Sequence, residues 1–282
     1  MFQIYDENFN PVPLPTDAWG YGLRGLDFEI SSTAQEVTEH SIPGLPGSII
    51  TGFRDSDREV NLRARLKVEN TLDYRVKRDQ VYAFFKRLGP FYVAEEQQDY
   101  KVLKVCVVES YQFERPENLR TFATVTIPLK IIGQPYWISR YKTTEFPEDL
   151  AFEMDIDFDK LTYQHSNKSS FDIFNAGTVP IKTIQEKNNC IITIDIKQSV
   201  TSFKLYDATD RYFEYNPSKD SNWSLVSGNK IILNGHYMTM NNTPIMERTN
   251  RYFLNLLPGD NIFTLEGLTN YTITFDFRFK FD

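Results

Sequence analysis

The sequence predicts a mainly β protein built as two β domains, the first carrying the one long helix. Three observations point there. Aromatic residues reach 15% of 282 positions, with 22 Phe and 16 Tyr, and such side chains suit a pleated, half-buried surface. Several stretches alternate apolar and polar residues at period two, the mark of strands with one buried face. Only residues 71–88 show a sustained helical period.

Strands are expected near Leu26–Ser31 and Gln35–Glu39. Residues 42–54, IPGLPGSIITGFR, read as a shaped loop with Pro43, Gly44, Pro46, Gly47 and Gly52 at its bends. From Arg58 to Val68 the alternation is clean. Val60, Leu62, Ala64, Leu66 and Val68 share one face, and Asn61, Arg63, Arg65 and Lys67 the other. Asn70 or Thr71 caps a helix over about 71–88 whose apolar positions are Leu72, Val76, Val81, Phe84, Phe85 and Leu88. Gly89-Pro90 stops it, because proline cannot continue a helix. Strands follow at Phe91–Glu95, Val102–Glu109 and Thr121–Ile132. A mostly antiparallel sheet with one helix packed on it accounts for residues 1–140.

Residues 141–150 read as a linker. Seven acids crowd Glu145–Asp159, and Asp155-Ile-Asp157-Phe-Asp159 reads as a strand with an acidic outer face. Turn signals then recur at Asn175-Ala-Gly, Asn216-Pro, Ser227-Gly, Asn234-Gly and Pro258-Gly-Asp-Asn. Short strands between regular turns make residues 151–282 a β-sandwich. In the last strand Tyr271, Ile273, Phe275, Phe277, Phe279 and Phe281 point one way, toward a second sheet.

Chemistry is sparse. The 42–54 glycines lack the Lys-Ser/Thr and the following helix of a phosphate-binding loop. The acidic triplet lacks the turn glycine and distal glutamate of a calcium loop. His40, His165 and His236 stand far apart, with no neighbour at metal spacing. Cys106 and Cys190 sit in apolar runs as ordinary buried thiols, and two cysteines fit folding in a reducing compartment. Trp223, Tyr237 and Tyr252 would form a sugar-stacking platform if they converge, although aromatics in a sandwich are more often core. Net charge −7 argues against general nucleic-acid binding. The N-terminus has neither the basic start nor the apolar segment of a signal peptide, and no apolar run reaches bilayer length. The expectation is a protein made and folded in a bacterial cytoplasm, not an enzyme, with no cofactor, no metal and no membrane partner.

The ordered set of features resembles the distal tail proteins of long, flexible-tailed phages of Gram-positive hosts. The residues that carry the likeness are PGLPGS at 43–48, the alternating strand 58–68 and FFKRLGP at 84–90. The strands 102–109 and 121–132, Gly133-Gln-Pro-Tyr-Trp137, Asn175-Ala-Gly-Thr-Val-Pro180, Leu256-Leu-Pro-Gly-Asp-Asn261 and the aromatic last strand complete it. Gln134 departs from the acid common in relatives. The resemblance implies a tail-tube-like β-sandwich or split barrel first, then a galectin-like or carbohydrate-module-like sandwich. It implies a hexameric ring joining the tail tube to the baseplate of the virion and passing DNA. The implied neighbours are the major tail protein, the tail-associated lysin or fibre protein, the tape-measure protein and receptor-binding components. The candidate contact loop is then Pro43, Gly44, Pro46, Gly47 and Gly52. A host-adsorption carbohydrate module is the alternative reading, and a cell-wall hydrolase the weakest.

Overall fold

The computed structural model describes residues 1–44, 46–115, 121–154, 156–217 and 223–282, without the side chains of residues 149, 152, 153 and 158. It divides into two compact units, Met1–Arg140 with Asp282, and Tyr141–Phe281.

The first unit runs β1 (Phe2–Tyr5), β2 (Gly22–Ile30), β3 (Gln35–Ser41), β4 (Ser48–Asp55), β5 (Val60–Lys67), α1 (Thr71–Leu88), β6 (Phe91–Glu95), β7 (Lys101–Cys106), β8 (Phe113–Glu114), β9 (Phe122–Ile131) and β10 (Trp137–Ser139). The main sheet has the order β1-β6-β7-β9-β5-β2, with β8 beside β9 and β10 beside β7. Its pairs are antiparallel. Period two in β5 becomes burial directly: Val60, Leu62, Ala64 and Leu66 are at most 3% exposed. They join Ala123, Val125 and Ile127 of β9 in the core. A register shift between Gly25 and Asp27 bends β2, and a Cβ on Gly25 would lie 2.9 Å from the Phe2 ring.

Helix α1 begins at Asn70, whose Oδ1 accepts from the Leu72 and Asp73 amides at 2.9 and 3.0 Å. Asp73 answers by accepting from the Glu69 amide at 2.8 Å, so three amide donors at the helix start are satisfied. Val81 and Phe85 bury the inner stripe. Leu72 and Val76, expected among the apolar positions of the helix, are 74% and 51% exposed. The buried part of the helix is its C-terminal half, where the chain turns back into β6.

The second unit contains α2 (Glu148–Glu153), β11 (Gln164–Ser166), β12 (Ser170–Asn175), β13 (Ile181–Lys182), β14 (Cys190–Ile196), β15 (Phe203–Tyr206), β16 (Tyr212–Tyr215), β17 (Lys230–Asn234), β18 (Tyr237–Met240), β19 (Thr243–Pro244), β20 (Asn255–Leu256), β21 (Gly259–Glu266), β22 (Tyr271–Phe277) and β23 (Lys280–Phe281). One sheet has the order β11-β22-β14-β17-β18-β19 and the other β12-β21-β15-β16, with β13 and β20 as a separate pair. Aromatics fill the space between: Phe263 lies 4.8 Å from Phe275 and 6.0 Å from Phe171, ring centre to ring centre.

Three expectations fail here. Residues 141–150 are not a free linker. Thr143 is buried, its amide donates to the Phe277 carbonyl at 2.9 Å, and its hydroxyl donates to the Phe275 carbonyl at 2.8 Å. The described residues of Asp155-Ile-Asp157-Phe-Asp159 do not form a strand: α2 ends before them at Glu153 and Phe158–Lys160 make a 3-10 turn, while Asp155 itself lies outside the described residues. The aromatic last strand is also interrupted. β22 ends at Phe277, the Arg278 amide donates to the Asn189 carbonyl at 2.9 Å, and Phe279 stays buried while Phe281 is half-buried.

Candidate functional site

The stretch expected as a loop is the return arm of a hairpin. β3 and β4 pair antiparallel from Gln35↔Asp55 to Ser41↔Ser48 and form a two-stranded sheet of their own. Gly52 lies within β4, opposite Thr38. Thr51 is the extra residue of a bulge, and its hydroxyl donates to the Thr38 carbonyl at 3.1 Å. Pro43, Gly44, Pro46 and Gly47 form the tip, where Leu45 lies outside the described residues. Gly44 and Gly47 have φ of 88° and 93°, and a Cβ on either would meet nothing within 4 Å. They are needed for backbone conformation, not for space.

This hairpin exposes apolar side chains that a solvated hairpin would not keep. Phe53 is 67% exposed, Ile49 56%, Ile50 52%, Ile42 45% and Val37 41%. Val37 and Phe53 are direct cross-strand partners. A lone two-stranded hairpin is marginal in water, and several exposed apolar side chains gathered on one hairpin mark a contact site. The base of the hairpin is tied down. Tyr136 donates to Asp55, and Gln35 Nε2 donates to the same carboxylate at 3.2 Å. These bonds hold the Asp55 carboxyl below the ordinary aspartate range, the tyrosine contributing most. Burial, and then the bond to Asp55, push the Tyr136 hydroxyl up to about 12. Trp19 of the same unit is 85% exposed. It sits on a turn in which Asp17 Oδ1 accepts from the Trp19 and Tyr21 amides, while Asp17 Oδ2 holds Lys77 at 2.7 Å.

The three aromatics expected as a platform do not converge. The Trp223 ring packs on the core and is covered by the Arg248 guanidinium, 3.5 Å from its centre. Tyr237 belongs to β18 in the larger sheet, with Lys187 4.5 Å above its ring. Tyr252 instead stacks beside Tyr212 of the smaller sheet, at 6.3 Å. Tyr206 and Tyr212, absent from the residues singled out by sequence, form that neighbourhood. Their signal is the alternation YDATDRYFEY, in which Tyr206 and Tyr212 take the outer positions.

His165 is buried, and its Nε2–H donates to the Thr162 and Asp172 carbonyls, both at 3.1 Å. Burial lowers its pKa, so the ring is a neutral packing group against Phe171. Cys190 is buried as expected; Cys106 is partly exposed, because it lies at the end of β7. Among the described residues no three His, Cys, Asp or Glu side chains gather at metal-binding distance.

Residues 23–131 match the family of phage tail protein RIFT-related domains. This segment is similar to that phage tail domain. The match spans the hairpin and runs from β2 to the end of β9. Over its full length the chain is similar in fold to the SPP1 Dit (gp 19.1) protein, described as a paradigm of the hub adsorption apparatus in phages infecting Gram-positive hosts. The TM-score is 0.67 at 13% identity, covering 99% of each chain. Chains of the phage p2 baseplate in its activated conformation, with strontium and with calcium, align at TM-scores of 0.39 and 0.36, with 10% identity and 98% and 97% coverage of this chain and of theirs. Among curated proteins none matches the chain. The likeness to distal tail proteins therefore stands, on the phage tail domain for residues 23–131 and on fold for the whole length.

Proposed function

We propose that this chain is a structural protein of a phage tail baseplate, a distal hub whose copies close into a ring between the tail tube and the tail tip. The observation that carries this reading is the isolated β3–β4 hairpin with five exposed apolar side chains inside the segment that matches a phage tail domain. In a ring, each hairpin reaches a neighbouring copy. The contact is heterologous, and closure by rotation leaves no hairpin uncovered. Six copies is the number the family resemblance implies. The proline and glycine tip suits such an arm, since prolines lower the entropy lost on ordering. Trp19, held on a fixed turn, supplies a second anchor of the kind that dominates protein contacts.

The remaining partners follow from the same reading. The tail tube protein sits on one face of the ring, the tail-associated lysin or fibre protein on the other, and DNA and the tape-measure protein pass through the middle. The net charge of −7 agrees with a conduit that repels DNA.

The test is the mass of the purified full chain by light scattering, with rings sought by negative-stain microscopy. The chain is expected to form a closed oligomer, alone or with its tail partners, and the pair Ile49→Lys with Phe53→Asp to abolish it while circular dichroism stays unchanged. Rings that form normally from the double variant would refute the role of the hairpin.

A further inference from the structure

We infer that the β3–β4 arm of one copy is received by a second copy in the open seam between β1 and β2. This names the acceptor for the arm and so rests on the ring reading above. A heterologous contact needs a donor and a different acceptor on the same chain. Two arms meeting each other would give a two-fold pair and no ring.

The main sheet begins at β1 and ends at β2, and no ladder joins these two strands. They nevertheless meet, because Gly25 has no side chain to hold off the Phe2 ring. Segment 11–16 covers part of the gap. The Val12 amide donates to the Ile4 carbonyl at 2.8 Å, and the Leu23 amide to the Pro15 carbonyl at 2.9 Å. Beside it lies an open groove of about 490 Å³, with Phe2, Val12, Leu14 and Leu26 in its walls. Leu26 is the extra residue of the β2 bulge, which takes it out of the ladder and leaves it 41% exposed.

Arg24 and Arg65 also line the groove, and they are direct cross-strand partners. Like charges in that position repel. Among the described residues neither guanidinium is bridged to a carboxylate, whereas Arg63, on the same face of β5, is bridged to Glu29 at 3.1 Å. The seam is therefore an apolar groove beside two cations that lack a counter-charge.

The arm carries the complement. Val37 stands opposite Phe53 and Glu39 opposite Ile50, so these four share one face of the hairpin, and all are exposed. Three apolar side chains are thus followed by a carboxylate, which the Ser48 hydroxyl steadies at 2.7 Å. The other face is mixed, with Glu36 opposite Arg54 and His40 opposite Ile49. The first face fits the seam, apolar against apolar, with Glu39 brought to the arginine pair. β3 has seven residues, about 23 Å when extended, several times the spacing of strands in a sheet. Apolar burial supplies the affinity, and the charges set the register.

The test is cross-linking in a Cys106→Ser background, which removes the partly exposed native thiol. Leu26→Cys and Ile50→Cys chains are mixed, alone or with the tail partners, and treated with a short bismaleimide. A covalent dimer is expected, and the chain carrying both substitutions is expected to give a ladder that ends at the closed ring. Both positions are exposed, so circular dichroism should stay unchanged. Ile50→Cys with Leu72→Cys, on the exposed start of α1, is expected to give no link. Separately, Arg24→Glu with Arg65→Glu is expected to weaken association at least about tenfold, and Glu39→Arg to restore most of it. Rings of normal mass without the link between positions 26 and 50, or with Ile50 linked to Leu72 instead, overturn the seam and leave the ring reading standing. So does a charge reversal that has no effect, or one that Glu39→Arg does not restore. Absence of any closed oligomer, with or without tail partners, overturns the ring reading and the seam with it.

Discussion

Gly177 and Lys280 show how individual atoms hold the second unit together. A Cβ on Gly177 would lie 2.3 Å from the Lys280 carbonyl oxygen, which accepts from the Thr178 and Val179 amides at 2.8 and 3.2 Å. The Lys280 ammonium in turn donates to Glu186, with both side chains at most 5% exposed. A buried pair offsets its own desolvation and adds little net, but half a pair is costly. Lys280→Met is therefore expected to lower unfolding free energy by about 3–5 kcal/mol in denaturant melts. Adding Glu186→Leu should return much of that loss; a double variant as unstable as the single one would mean that the pair is not the cause. The hairpin base gives a pH prediction. Asp55 is the stronger acceptor when ionised, and Tyr136 donates only when protonated. The depressed Asp55 contributes stability above its ordinary value of 3.8 that is lost as pH falls through its lower folded value. The raised Tyr136 contributes below its ordinary 10.0 and loses that as pH rises through about 12. The anchor is thus whole between about pH 4 and 10. Carboxyl NMR should give Asp55 a midpoint under 3.8, moving up in Tyr136→Phe.

At the scale of elements, the cap of α1 is the simplest wager. Asn70→Ala leaves the Leu72 and Asp73 amides without their acceptor, and is expected to cost about 1 kcal/mol, or a fall of about 2–4 °C in Tm. Thermal melts would show it, and no change would mean that water replaces the cap. Much of the element map was legible because period two and burial coincide in β5, β9, β14 and β22. The helix was legible from its cap and its Gly-Pro stop. What was missed has physical reasons. Leu72 and Val76 carry the helical spacing, yet the fold leaves that end of the helix uncovered. Ile49, Ile50 and Phe53 do not alternate cleanly, since the bulge at Thr51 resets the register, and the prolines and glycines beside them suggested a loop. Thr143 looks like linker by composition, but its hydroxyl and amide complete the end of β22. The grouping of Tyr206, Tyr212 and Tyr252 depends on which strands are neighbours, and a sequence does not state strand order.

For the whole molecule, full-length likeness of fold at 13% identity means that pattern, not particular side chains, carries the architecture. The exposed parts are then where this chain can differ, and the hairpin is one of them. Its proposed contact makes a prediction about salt. Each copy carries a net charge of −7, so bringing copies together raises their electrostatic energy. Screening lengths shorten from roughly 10 Å at 0.1 M salt to 3 Å at 1 M, which relieves that repulsion. The attractive side rests on Val37, Ile42, Ile49, Ile50 and Phe53, and burial of apolar area is not weakened by screening. Association of the purified chain, with or without its tail partners, should therefore hold or strengthen as sodium chloride rises from low to near-molar concentration. An assembly held by ion pairs would dissociate over the same range. Light scattering at fixed protein concentration separates the two, and a fall in mass with added salt would remove the apolar hairpin as the force that closes the ring.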